Sequence, residues 1–256
     1  MRTRPISFDR AADFYDATRA LPQGAGDALA DVLAAELAGR GPCLEIGVGT
    51  GRIALPLHAR GVALAGVDVA AAMLRRLVAN AGGLEPFPLL QADVTRLPLA
   101  ASSFGAVLAC HVFHLIADWR AAADEAMRVL RPHGVLVVDF GGGARAPWSA
   151  RCQEILRRHG VVHDRPGVSA PGDVSAHLGR PPRPLPPVVT GDRRSLARDL
   201  DRWERQIDAW TWPYPAGQMR AACAGIRDWV AANGYPVDRE VELRGVLQWW
   251  AFERAC

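Results

Sequence analysis

The chain has 256 residues, half of them hydrophobic and 22% charged, the make-up of a soluble globular protein with one large core or two modest ones. Its net charge of +3 is too small to argue for a nucleic-acid partner, and all 30 basic residues are arginines. Without lysine, Schiff-base and lysine general-base chemistry are excluded, because a guanidinium stays protonated. The five cysteines (Cys43, Cys110, Cys152, Cys223 and Cys256) show no C-x-x-C and no paired spacing, which argues against a zinc site and a disulfide framework, so no metal is expected. The start, Met1-Arg2-Thr3-Arg4-Pro5, has no apolar core of a signal peptide, and no apolar run approaches a membrane span. A cytoplasmic protein without membrane partners is the expectation.

Taken in order, residues 8–19 carry Phe8, Phe14 and Tyr15 among charges, with weak helical periodicity; an amphipathic N-terminal helix is one reading. Asp27 to Arg40 shows helical spacing at Leu29, Val32, Leu33 and Leu37 and stops at Gly39 and Gly41-Pro42. A buried strand, Cys43 to Ile46, then runs into Gly47-Val48-Gly49-Thr50-Gly51, and Arg52 opens a helix to about Ala59. Glycines at such a junction let the chain turn tightly and let a ligand approach the backbone, while the following helix offers free N–H groups. The spacing G-x-G-x-G is neither the dinucleotide fingerprint G-x-G-x-x-G nor a phosphate loop ending in Gly-Lys-Ser/Thr. Glu45, two residues before the first glycine, would repel a pyrophosphate but suits a cationic or zwitterionic ligand.

Val62 to Val67 is the next strand, with Asp68 at its carboxyl end, where open α/β sheets bind ligands. Asp68 can accept both hydroxyls of a ribose; the alternative is an N-cap for a helix over 70–79. Met73 in that helix can pack on an adenine face or in the core. A third strand spans 87–93, and Asp93 at its end can accept from an adenine amino group. A fourth strand, Gly105 to Cys110, precedes His111-Val112-Phe113-His114-Leu115 and Asp118-Trp119; a helix follows, then Arg131-Pro132-His133-Gly134 and a fifth strand, 135–140.

The ordered set Glu45/Gly47/Gly49/Gly51, Asp68, Asp93-Val94, "H-V-F-H-L…D-W" and "R-V-L-R-P-H-G-V-L-V-V" over residues 43–140 resembles the class I S-adenosylmethionine-dependent methyltransferases, in particular the small-molecule, methyltransferase type 11-like branch. The resemblance implies an α/β fold: a Rossmann-like, seven-stranded, doubly wound sheet with an antiparallel last strand, plus a helical insertion or cover. It implies S-adenosylmethionine as cofactor, held by Glu45, Gly47, Gly49, Gly51, Asp68, Val69, Met73, Asp93, Val94 and Cys110. Tyr15 and Arg19 match a Tyr-Asp-x-x-Arg segment that closes over the cofactor in that family.

The division that follows is an N-terminal helical lid (1–41), a cofactor-binding core (42–140), a helical substrate-cover region with one core strand (141–240) and a final core strand (241–256). The sixth strand is placed near 187–190, and Glu240 to Phe252 is read as one closing strand. The Trp203/Trp210/Trp212/Tyr214 cluster is read as core. His111 and His114, at the mouth of the fourth strand, are the candidate general bases; shaping the pocket or touching cofactor through backbone is their other reading. The expected activity is in-line methyl transfer to O, N or C of a small molecule by a monomer or homodimer. The alternatives are a nucleoside-binding regulatory module without turnover and an NAD-dependent oxidoreductase, the latter opposed by the glycine spacing.

Overall fold

The computed structural model describes residues 8–19, 21, 24–141, 145–163 and 166–255, with the side chain of Arg19 outside the description. The elements in chain order are α1 (Tyr15–Arg19), α2 (Ala25–Leu37), β1 (Cys43–Ile46), α3 (Ala54–His58), β2 (Leu64–Asp68), α4 (Ala71–Asn80), β3 (Leu89–Gln91) and β4 (Phe104–Ala109). They continue with α5 (Trp119–Val129), β5 (Leu130–Asp139), α6 (Ser149–Arg158), α7 (Pro171–Leu178), β6 (Arg183–Pro184), β7 (Val188–Arg194), α8 (Leu196–Glu204), α9 (Ala216–Asn233), β8 (Val241–Leu247) and β9 (Trp249–Glu253).

Two compact units form: Met1–Gly142 with Pro166–Val189 and Leu247–Cys256, and Gly143–Arg165 with Thr190–Val246. The first holds a seven-stranded sheet in the order β3-β2-β1-β4-β5-β9-β6. β1 to β5 are parallel, and β9 runs antiparallel to both β5 and β6. This is the expected doubly wound sheet with its last strand reversed. β1 is buried at every residue because it is central and covered on both faces, which is why Cys43 to Ile46 shows no polar alternation.

One face packs Cys43, Leu108, Val135, Val137 and Trp249 against Leu29, Leu33 and Leu37 of α2 and Ala54 and Leu57 of α3. The other packs Leu44, Ile46, Val107, Val138 and Phe252 against Trp119, Ala122 and Ala126 of α5 and Val174 of α7. No helix among the described residues is long and apolar enough to cross a membrane.

Three expectations are corrected. The closing segment is two strands, β8 and β9, broken at Gln248, whose side-chain amide donates to Leu185 O and Trp249 O, each carbonyl adjoining or crossing the break. The strand near 187–190 exists as β7 but pairs with β8 in a separate two-stranded sheet; the core's edge is the two-residue β6. Proline is tolerated there because an edge strand has a side that needs no ladder donor. The stretch 166–189, read as part of a cover region, belongs to the first unit, supplying α7 and β6.

The second unit combines helices with most of the β7-β8 sheet, with Cys152, Ile155 and Leu156 of α6, Leu200 and Trp203 of α8, and Met219, Cys223 and Ile226 of α9 in one core. Trp203 stacks edge-on against Trp210 (5.6 Å between centroids), consistent with the core reading. Asp199, buried at the start of α8, accepts from Trp148 Nε1 at 2.8 Å and from Arg194 Nε at 2.7 Å.

Candidate active site

The turn after β1 is left-handed at each glycine: φ is +67° at Gly47, +57° at Gly49 and +83° at Gly51. Conformation alone demands glycine at these positions, and packing adds to it at two. A Cβ on Gly47 would lie 2.7 Å from the Val112 side chain, and one on Gly51 would lie 2.8 Å from Leu55 and 2.9 Å from Leu77. At Gly49 an added Cβ meets only ordinary contacts, with Met73 Cε at 3.5 Å.

Asp68 ties this turn to the end of β2. Its Oδ2 accepts from Gly49 N at 2.9 Å and its Oδ1 from Ala70 N at 2.8 Å. The N-cap residue of α4 is Ala70, without a side-chain cap, so Asp68 does not cap the helix. Burial raises the Asp68 carboxyl above its ordinary range although the backbone bonds from Ala70, Gly49 and Val69 act the other way.

Beneath the turn lies Glu45, 1% exposed, with an Oε2 that has no hydrogen-bond partner among the described residues. Burial pushes its carboxyl up to about 8; the Arg52 guanidinium opposes the rise and Asp68 adds to it. Strand alternation puts Glu45 on the face of Cys43, Asp68 on that of Leu64, and Asp139 on that of Val135 and Val137, and all these apolar residues share one core cluster. Three carboxylates thus stand at the carboxyl ends of three parallel strands on the same side of the sheet.

The fourth strand ends at Ala109, and Cys110 and His111 follow it. β4 pairs with β5 in a register of Ala109 with Val138, so the next step sets Cys110 opposite Asp139, and His111, one residue further on, meets the Asp139 side chain. Asp139, 4% exposed, accepts the His111 backbone N–H on Oδ1, and its Oδ2 lies 2.8 Å from His111 Nδ1. Burial would raise the Asp139 carboxyl, but His111, through charge and two hydrogen bonds, and His114 together hold it below its ordinary value.

His111 is itself left-handed, at φ +50°, a conformation uncommon for a residue other than glycine. His114 sits on the short 3-10 turn Phe113–Leu115, its ring 6.4 Å from that of His111 and nearly perpendicular to it. Burial and the nearby Asp139 push the Cys110 thiol well up, which removes it as a nucleophile. Arg52 Nη2 reaches Cys110 Sγ at 3.5 Å. The ligand-type atoms of Cys110, His111 and Asp139 lie within 4.8 Å of one another, and within that group His111 bonds Asp139 while Arg52 reaches Cys110.

The remaining candidates divide. Met73 and Ala70 pack with Ala12, Phe8 and Tyr15, and Tyr15 meets Phe8 edge-on, so the N-terminal segment lies on α4 beside the glycine turn. Asp16 fastens it there, bonding Thr50 Oγ1, Asn80 Nδ2 (2.9 Å) and Arg76 Nε (3.3 Å). The Val69 carbonyl accepts from Gln91 Nε2. Asp93 is exposed and turned to its own loop, its Oδ1 accepting from Thr95 N and Oγ1. Val94 points into the core on the α5 side.

Sequence reasoning missed Asp139 and Arg52. Asp139 has the signal that identified Asp68, an acid closing a parallel strand. Arg52 looked only like the opening of a helix, yet burial, which alone would lower its guanidinium, is outweighed by Cys110, Tyr15, Asp139 and Glu45.

A family model described as a methyltransferase domain matches residues 44–138. The chain is 37% identical over 145 residues to a ubiquinone/menaquinone biosynthesis C-methyltransferase of Syntrophotalea carbinolica, covering 54% of this chain and 61% of that protein. It is 31% identical over 170 residues to a demethylmenaquinone methyltransferase of Mycobacterium sp., covering 63% of this chain and 71% of the relative. The chain spans 61%, 47%, 44% and 52% of the length of four other curated methyltransferases it matches, that of Syntrophotalea carbinolica among them. Among solved structures the YcgJ protein of Bacillus subtilis superposes with a TM-score of 0.59 at 19% identity, covering 90% of this chain and 99% of that one, a likeness of fold.

Proposed function

We propose that this chain, which belongs to the class I S-adenosylmethionine-dependent methyltransferases of the type 11 branch, transfers the sulfonium methyl to an O, N or C atom of a small-molecule acceptor. The observation that carries the reading is the orphaned Oε2 of Glu45 under a Cβ-free turn. A buried carboxylate oxygen without a partner is costly unless a cation or donor completes it. The residues present therefore fit the cofactor.

Bound S-adenosylmethionine supplies an activated methyl on a positively charged sulfur. In this reading Glu45 receives the methionine ammonium, and the glycine turn lets that moiety lie against the backbone. Asp68 takes the ribose hydroxyls: its two oxygens accept from Gly49 N and Ala70 N, with Val69 N also bonding the carboxylate, and a carboxylate has about four lone-pair sites to offer. Asp93 and Met73 serve the adenine, with Val69, Val94 and Cys110 as neighbouring wall, while Tyr15 and Arg19 close the entrance. The chain's main contribution is alignment and exclusion of water, where effective molarities are large. Relatives are named as a ubiquinone/menaquinone biosynthesis C-methyltransferase, as demethylmenaquinone methyltransferases and as malonyl-[acyl-carrier protein] O-methyltransferases, so acceptors at carbon and at oxygen both enter the screen, those with a free hydroxyl first.

Calorimetric titration with S-adenosylmethionine, S-adenosylhomocysteine and NAD tests the reading. Binding of the first two and not of NAD is expected. Asp68→Ala should weaken them on the order of 10- to 100-fold, the loss of one or two charge-assisted hydrogen bonds. Binding of NAD alone, or unchanged affinity in Asp68→Ala, would overturn it.

A further inference from the structure

We propose that His111 is the proton acceptor of the transfer and that Asp139 is the positioning residue that sets its tautomer, so that the acceptor carries an O–H or N–H at the methylated atom. The inference rests on the methyl-transfer reading above and adds to it a residue 28 positions away from the histidine it serves.

The geometry leaves one arrangement of protons. An ionised carboxylate only accepts hydrogen bonds. Asp139 receives the backbone N–H of His111 on Oδ1 and faces ring Nδ1 with Oδ2 at 2.8 Å, so Nδ1 must carry the ring proton. In the neutral imidazole the other nitrogen, Nε2, then has the lone pair. No hydrogen bond engages Nε2 among the described residues, and the imidazole is 30% exposed while the carboxylate is buried.

Position agrees with this. Val112, the next residue, rests on Gly47 closely enough that a Cβ there would collide with it, which places His111 beside the turn proposed to hold the methyl donor. The left-handed backbone at His111 is of the kind found where function over-determines a residue, and here the Asp139 bond to its N–H holds it.

The charged and titratable groups around the pair are Arg52, from the loop leading to α3, Glu45 on β1, the Cys110 thiol and His114. His111, through charge and its two hydrogen bonds, and the nearby His114 keep Asp139 ionised, the form that enforces the tautomer, and Arg52 lies within its field. In the transfer, a lone pair of the acceptor atom X forms the X–CH3 bond and the C–S pair stays on sulfur. The X–H pair remains on X as the proton passes to Nε2, and the resulting imidazolium is stabilised by Asp139.

Asp139→Asn gives a sharp test because a carboxamide has one acceptor where the carboxylate has two. The backbone N–H of His111 is always a donor and claims the amide oxygen. The amide NH2 then faces Nδ1, which must become an acceptor, and the ring proton moves to Nε2. Nitrogen NMR of the full-length protein above pH 8, with S-adenosylhomocysteine bound, reads the tautomer directly; the His111 signal is identified by its loss in His111→Gln.

Nδ1–H in the wild type and Nε2–H in Asp139→Asn are the expected results. Nε2–H in the wild type, or an unchanged tautomer in the variant, would overturn the proposal. Calorimetry on the same samples separates the two readings: failure of S-adenosylhomocysteine to bind sinks the methyl-transfer assignment, whereas binding with the wrong tautomer sinks only the pair. On an acceptor that turns over, both variants should lose about 10²- to 10⁴-fold in kcat, the range of general-base catalysis. A variant within threefold of the wild type would refute the role.

Discussion

Glu45 offers a prediction that the structure puts in numbers. With its carboxyl at about 8, the neutral form outweighs the ionised one about tenfold at pH 7 in the ligand-free protein. A methionine ammonium prefers the ionised form, so binding must expel the proton, and each pH unit below 8 costs about 1.4 kcal/mol of affinity. The dissociation constant for S-adenosylhomocysteine should therefore fall about tenfold from pH 6 to pH 7 and less steeply towards pH 8, where an α-amino group of pKa about 7.7–8.0 begins to lose its own proton.

Titration calorimetry in two buffers of different ionisation enthalpy should record about one proton released per ligand bound at pH 6 to 7. Glu45→Gln should abolish both the slope and the release, and weaken binding at pH 8 by roughly 1.5–3 kcal/mol, the worth of a hydrogen bond to a charged group. Stability moves the other way. Folding raises this carboxyl from 4.5 to about 8, so its contribution is fully present below pH 4.5 and is lost as pH rises through 8. At pH 9 the glutamine variant should gain a few kcal/mol over the ligand-free wild type, and at pH 4 nothing. A wild-type affinity flat between pH 6 and 7, or a glutamine variant with the wild-type slope, would refute the reasoning.

Two further outcomes follow from packing. Gly51→Ala incurs the left-handed penalty of roughly 1–2 kcal/mol and also forces a methyl to within 3 Å of Leu55 and Leu77, adding roughly 1–3 kcal/mol. Gly82→Ala, at φ +88° with nothing near its Cβ, should show only the first cost; equal shifts of the urea midpoint in the two variants would contradict this. In the second unit, Asp199→Ala strands the buried Trp148 indole N–H and removes the Arg194 partner, a loss of roughly 2–4 kcal/mol. Trp148→Phe keeps the ion pair and should cost less; thermal unfolding that ranks them the other way would show the carboxylate is not the hub of that core.

What could be read from the sequence was local. Glu45, the three glycines and Asp68 lie within 24 residues of one another and obey one strand-turn-helix-strand pattern, so spacing alone located them. The His111–Asp139 pair is closed by the register of β4 on β5, and no local periodicity encodes which residue of one strand end faces which of the next. The end of the chain misled for a different reason. Alternation of apolar residues continues from Val241 through Phe252, whereas the break at Gln248 is made by a side-chain amide bonding carbonyls of Leu185 and Trp249. β6 was illegible because two residues, one of them proline, contribute no pattern at all. Asp93 shows a further limit: the motif is legible, but that its Oδ1 accepts from Thr95 N and Oγ1 is set by the loop conformation, which the spacing does not encode.

The charge layout explains why the same architecture that serves dinucleotides elsewhere is turned here to a cation. Glu45, Asp68 and Asp139 stand on one face at the strand ends, and Arg52 is the guanidinium whose field reaches two of them. A helix that followed the turn with three free N–H groups would favour a phosphate. The segment after Gly51 instead begins with Arg52 and reaches regular α-helix only at Ala54, and Asp68 occupies the N–H of Gly49. The donors a pyrophosphate would use are thus partly consumed by a carboxylate, and the carboxylates left over can be satisfied by a ligand that brings positive charge. In the proposed reading, the choice between a sulfonium cofactor and a dinucleotide rests on which hydrogen-bond donors and acceptors of this single turn are already taken.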